Sequence, residues 1–192
     1  MRGFLLIIIV LFSNSIFSQL IDSKETTFNN DNYFNQVVKS KKDDQLINGE
    51  VKFSNGIMKC ENGKIVLVTY FYPNGNMRER SGYKNGEQDG LQEFYYKNGN
   101  LRESFNIDSE NPVFVNNKDT WNHKQHMVGA HKRFYKNGQM MIEENSNKTG
   151  NLDGIQKAFF KTGQIKRQAK FRDGNLIEIE CWNRKGQIIE CK

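Results

Sequence analysis

Six glycines set the frame of this chain, because each is followed two positions later by an apolar residue: Gly56/Met58, Gly75/Met77, Gly99/Leu101, Gly138/Met140, Gly163/Ile165 and Gly186/Ile188. Five of the six have an aromatic three positions earlier, at Phe53, Tyr72, Tyr96, Tyr135 and Phe160. Another aromatic stands four positions before the glycine at Phe71, Tyr95, Phe134, Phe159 and Trp182. Gly90, Gly129 and Gly154 each lie nine residues upstream of a marker glycine. Successive markers are 19, 24, 39, 25 and 23 residues apart. The chain is therefore a repeat with a period of about 24, a short first unit and one insertion of about 15 residues.

A second turn signal falls eleven residues after the marker, Asn85-Gly86 after Gly75 and Asp173-Gly174 after Gly163. Both residues of such a turn need a left-handed φ, which Asn, Asp and Gly tolerate, so these dipeptides predict tight hairpins. Each unit reads as two strands and two turns. Placed end to end, about six units predict an all-β, elongated, single-layer antiparallel meander of hairpins in which each unit leans mainly on its neighbours. The period of two puts Leu91 with Tyr95 on one face and Phe94 with Tyr96 on the other. Ile155 with Phe159 and Ala158 with Phe160 repeat that division. Aromatics on both faces predict a sheet half exposed on each side. The 14 Phe, 7 Tyr and 2 Trp suit pleated strands, while 36% hydrophobic residues are too few for a thick globular core.

The ends read differently. Arg2 precedes an apolar run at residues 4–12 (FLLIIIVLF), too short to span a bilayer, and Ser18 suits the last position before cleavage. Residues 1–18 are expected to be a signal peptide leaving Gln19 as the new N-terminus, with no transmembrane segment in the mature chain. That removes one Arg and no acid, taking the formal charge from +6 to +5. Residues 19–46 are rich in Asn, Asp, Lys and Ser and are expected to be a poorly ordered lead-in, with room for one added strand. Residues 47–192 hold the repeats, interrupted by an inserted loop at 106–128 that contains Pro112, Trp121 and two of the three histidines. From residue 129 onward 13 basic residues face 7 acidic ones, a surplus suited to anionic surfaces or to a solvated lysine-rich exterior.

The segments YFYPNGNMRERSGYKNGEQDG, LQEFYYKNGNLRES, HKRFYKNGQMMIEE and IQKAFFKTGQIKRQAKFRDGN resemble the variant form of the MORN repeat. That pattern occurs in bacterial proteins described as YwqK-type antitoxins of toxin–antitoxin systems. The resemblance spans residues 47–192 and implies repeated β-hairpins with no catalytic residues. A cytoplasmic antitoxin carries no export signal, and here the chain departs from that pattern.

Chemistry-bearing residues are sparse. His123, His126 and His131 fall within nine residues, near Asp119, a spacing that could ligate a transition metal. His131, however, occupies the position held by Gln92 and Gln156 in other units, an ordinary strand site. Cys181 and Cys191 lie five residues either side of Gly186, so a hairpin turning there brings them opposite or diagonal for a disulfide, the alternative being two reduced, packed thiols. Cys60 is left as a free thiol or an intermolecular link. Glu143 and Glu144 are adjacent in a strand and point to opposite faces, which argues against a cooperating acid/base pair. No nucleophile, zinc-protease, phosphate-loop or calcium-loop motif is present.

The reading is of a non-enzymatic, cofactor-free exported protein, periplasmic, cell-surface or secreted, acting as a protein-interaction or structural module of the cell envelope. The alternatives are a binder of anionic lipid or glycan through basic and aromatic residues of the C-terminal repeats, and an antitoxin-like partner of a toxin protein. Export argues against nucleic acid as the partner.

Overall fold

The computed structural model describes residues 21–22, 24, 26–28, 37–110 and 127–191. Its elements are strands. The lead-in supplies β1 (Ile21–Asp22), β2 (Thr26–Phe28) and β3 (Val38–Ser40). The array continues as β4 (Gly49–Phe53), β5 (Gly56–Glu61), β6 (Lys64–Phe71), β7 (Met77–Lys84), β8 (Glu87–Tyr95) and β9 (Leu101–Ile107). After the insertion come β10 (Met127–Phe134), β11 (Met140–Ser146), β12 (Gly154–Phe159), β13 (Ile165–Arg172), β14 (Asn175–Trp182) and β15 (Ile188–Ile189). Strands β4 to β15 follow one another in chain order as a single open antiparallel sheet, thirteen strands wide with β1 added in parallel at the start. The expected meander of hairpins is what the chain forms.

The marker turns share one geometry. In Tyr72-Pro73-Asn74-Gly75-Asn76 the Gly75 N–H donates to Tyr72 O (2.9 Å) and Tyr72 N–H donates to Asn76 O (2.8 Å). This is a three-residue hairpin loop in which Gly75 takes φ 85°, a conformation costly for any residue with a Cβ. The same pair of bonds closes the turns at Gly99, Gly138, Gly163 and Gly186. Gly56 is the exception to the expected set. It opens β5 opposite Phe53 and Tyr70, outside the left-handed region, and a Cβ there would collide with the Phe53 ring and Thr69 O. The intervening turns include Asn85-Gly86 (φ 52° and 86°), Asp173-Gly174 (49° and 82°) and also Asn62-Gly63 (50° and 72°), all with left-handed pairs.

The marker turns at Gly75, Gly99, Gly138 and Gly163 are tied each to the next. The Tyr72 hydroxyl donates to Tyr95 O, Tyr96 to Phe134 O and Tyr135 to Phe159 O, each at 2.8 Å. Asn74 and Asn76 both donate to Lys97 O, and Asn98 and Asn100 to Lys136 O. At Tyr72, Tyr96 and Tyr135 the aromatic three before the glycine is thus a hydroxyl carrier, and Phe160 at the same place cannot extend the chain of bonds.

The two faces are not equivalent, contrary to the half-exposed sheet expected. Along one face, cross-strand partners run Val51, Met58, Val68, Ser81, Gln92 and Phe105, then His131 and Glu144, then Gln156, Ala169 and Ile179. Most of this row is buried, with Val51, Ser81 and Gln92 at 0% exposure. The other face carries Lys52, Thr69, Arg80, Glu93, Ser104, Lys132, Glu143, Lys157, Gln168 and Glu180, with ion pairs Arg80–Glu93 and Lys132–Glu143. A bulge recurs beside Tyr70, Phe94, Arg133 and Ala158, where one partner residue is left over. Bulges sharpen strand twist. At two of them the extra residue is Arg78 or Arg102, whose guanidinium lies over the ring of Tyr70 or Phe94 at 5.0 and 5.5 Å.

The described part of residues 19–46 packs against the start of the array as a cap. Val38 and Ile47 join Val51, Met58, Cys60 and Val68 in the main apolar cluster. Backbone bonds stitch this cap to the first two-residue turn, Val38 N–H to Gly63 O and Gly63 N–H to Ile47 O. The insertion is also narrower than 106–128, because Asn106 and Ile107 pair with Val128 and Met127 inside the sheet. Its base is held by Asp89 Oδ1, which accepts from Ser109 N–H and Oγ–H, and by the Lys84–Glu110 ion pair. Residues 111–126, with Pro112, Trp121, His123 and His126, lie outside the described residues.

Candidate binding surface

The face that is buried at the start of the array becomes an open groove toward its end. There the rows of β10 to β15 align Arg133, Ile142, Ala158, Arg167, Cys181 and Ile189 as successive cross-strand partners. A cavity of about 710 Å³ is lined by Ile142, Ala158, Lys166, Arg167, Cys181, Trp182, Ile189 and Glu190. Its lining combines apolar side chains with Lys166, Arg167 and Glu190, a surface suited to holding a ligand by shape and charge. Arg133, next in the row beyond Ile142, has its Nε buried with no hydrogen-bond partner.

The cysteines fall into two environments. Cys181 and Cys191 are joined by a disulfide across the last hairpin, with Cα atoms 5.4 Å apart, at the wall of the groove. Cys60 is free and 1% exposed inside the capped cluster, and burial pushes its thiol up to about 11. It is neither a poised nucleophile nor placed to link two chains.

His131 sits on the buried face, its Nε2–H donating to Glu103 Oε1 at 2.8 Å and its Nδ1 3.5 Å from Glu144 Oε2. The Phe105 ring meets it edge-on, with centroids 5.7 Å apart. The hydrogen bond from His131 holds the Glu103 carboxyl below its ordinary value against the opposing effect of burial. Among the described residues no cluster of side chains is arranged to hold a metal. The other two candidate histidines lie outside those residues, so His131 stands as a strand position with carboxylate partners. Glu143 and Glu144 do point to opposite faces, toward Lys132 and His131.

Two buried glutamines carry a structural role that spacing alone does not assign. Gln92 and Gln156 each follow a left-handed glycine, Gly90 (φ 69°) or Gly154 (φ 83°), by two residues. Gln92 Nε2 lies 3.2–3.3 Å from the carbonyls of Gly82, Asp89 and Gly90, and Gln156 exchanges bonds with Asn145 N–H and O. Each satisfies backbone groups that an irregular ladder leaves unpaired. The signal was the recurring glycine-x-glutamine spacing.

An open sheet of hairpins, each pinned by a glycine turn and presenting one side-chain face, is the architecture of a repeat scaffold whose work is contact. The family model for the MORN repeat variant matches residues 64–85, 88–107, 127–148 and 152–173. The chain belongs to that family. Each matched segment is one hairpin around Gly75, Gly99, Gly138 or Gly163. The hairpins at Gly56 and Gly186 fall outside the matches, and only the second repeats the marker-turn bonds. Among curated proteins none matches the chain. Repeats of this kind are in general modules for contact with proteins or membranes, not catalysts.

Proposed function

We propose that this chain is an exported, non-catalytic interaction module of the cell envelope that binds a partner protein in the groove of its C-terminal repeats. One observation carries the reading. The chain covers the buried face at the start of the array with its own Val38 and Ile47, and leaves the same face open at the end, between Ile142 and Ile189. The apolar start at residues 4–12 and the Cys181–Cys191 bond favour an oxidising compartment, periplasmic, cell-surface or secreted. A toxin protein is one partner class that the antitoxin-like resemblance brings into this reading.

A second reading, an anionic lipid or glycan surface, draws support from Lys166 and Arg167 beside Trp182 in the groove. Ionic strength separates the two, since contacts between exposed charges are screened while a packed apolar interface is not. The test is a crosslinked pull-down of the tagged mature chain from the envelope of its own source cells, in low and high salt, beside an Ile189→Lys variant. The proposal expects one protein in near-equal amount that survives salt and is lost with the variant. Recovery of lipid or glycan alone, removed by salt, would overturn it.

A further inference from the structure

Strand β14 differs from the other long strands of the sheet. Asn175 through Glu180 are all exposed, whereas every residue of β11 is half-buried. On one side β14 pairs with β13 from Asn175 to Cys181. On the other side β15 reaches only Cys181 and Trp182. A ladder continuing in register would set Cys191 opposite Ile179, but the disulfide holds it beside Cys181 instead. Among the described residues no strand pairs with the outer edge of Asn175–Glu180. Backbone donors and acceptors therefore face outward from a strand reading Asn-Leu-Ile-Glu-Ile-Glu, with Leu176, Ile177 and Ile179 at 51%, 55% and 38% exposure. Such an edge is a template for another strand.

We infer that the outer edge of β14 is a strand-addition site for an extended segment of a partner protein in which apolar and basic residues alternate. The occupant follows from the register. Ile179 lies on the buried face across from Ala169, while Glu178 and Glu180 lie on the polar face across from Lys170 and Gln168. An added antiparallel strand places every second side chain beside Ile179, continuing the apolar row, and the intervening ones beside the two glutamates. Neither glutamate forms an ion pair among the described residues. Lysine or arginine at the facing positions supplies the missing charge.

A second copy of the same edge does not fit. Antiparallel self-pairing centred on Glu178 or on Ile179 sets glutamate against glutamate, that centred on Ile177 sets glutamate against leucine, and the registers between these set glutamate against isoleucine. Like charges directly opposite destabilise a ladder. The edge thus rejects itself and accepts a basic strand, with main-chain bonds giving affinity and alternate side chains giving selectivity. This site is the margin of the sheet, separate from the groove floor at Ile142 and Ala158, so either proposal stands without the other.

The test uses the oxidised mature chain and two labelled peptides, one alternating lysine and valine, the other with the same residues in two blocks. Fluorescence anisotropy reads binding and amide hydrogen exchange locates it. The inference expects only the alternating peptide to slow exchange at residues 175–180, and a Glu178→Lys/Glu180→Lys variant to weaken it about tenfold. Methylating alternate backbone nitrogens of the peptide abolishes binding to the unaltered protein, a check independent of whether the variant folds. Equal binding of both peptides, no slowing at 175–180, or undiminished binding to the variant overturns the inference. A source-cell partner still captured by the variant leaves the groove reading in place and rules out this edge as its site.

Discussion

Tyr96 shows how a single atom couples repeats. Its hydroxyl donates to Phe134 O across the base of the insertion, so Tyr96→Phe removes one hydrogen bond and leaves the ring in place. Denaturant unfolding should show a loss of about 0.5–1.5 kcal/mol, the net worth of such a bond. The complementary change, Phe160→Tyr, restores the missing hydroxyl next to the last hairpin and should raise stability by up to about 1 kcal/mol in the same assay. Gln92 is a stricter case because it is fully buried and serves the carbonyls of Gly82, Asp89 and Gly90. Gln92→Leu keeps the bulk and strips the donors, and should cost about 1–3 kcal/mol. Glu103 supplies the pH dependence. Its carboxyl is held below its ordinary value by His131, so it contributes stability above the unfolded carboxylate pKa that is lost as pH falls through the folded one. Unfolding midpoints measured down the acid range should therefore fall less steeply in Glu103→Gln than in the unaltered chain.

At the scale of the hairpin, the Cys181–Cys191 bond takes over where the tyrosine and asparagine ties stop. The loop it closes spans ten residues, for which chain entropy gives about 2–3 kcal/mol. Because each hairpin contacts mainly its neighbours, reduction should speed hydrogen exchange in β14 and β15 and leave β6 to β9 unchanged. Uniform loss of protection across the sheet would show instead that the array unfolds as one unit. The hairpins were legible in the sequence because their turns are locally encoded. Asn85-Gly86 and Gly75 announce left-handed backbone whatever surrounds them, and the symmetric placing of the two cysteines about Gly186 announced a possible clasp. Gly56 misled for the same reason, since its spacing to Phe53 and Met58 imitates a marker while its glycine serves a close approach to Thr69 O. What stayed hidden depends on residues far apart in the chain. Nothing local to Val38 says that it will cover Val51 and Met58, and alternation alone does not say which face closes.

Among the described residues the array finishes its two ends differently, with a cap of its own chain at the start and a groove and an edge left uncovered at the finish. Removing residues 19–46 should open the first cluster and bring Cys60 into reach of thiol reagents, whereas the chain that keeps them should leave it unmodified at neutral pH. That contrast checks the cap without reference to any partner. The groove is the central claim, and lysines are distributed so as to test it. Lys166 lines the groove, while Lys52, Lys132 and Lys157 stand on the polar face. The most direct measurement is mass spectrometry of lysine crosslinks in the complex captured from source cells. The account predicts partner crosslinks concentrated at Lys166 and the rim around Ile189. Crosslinks confined to Lys52, Lys132 and Lys157, with Lys166 untouched, would place the interface on the polar face and contradict it.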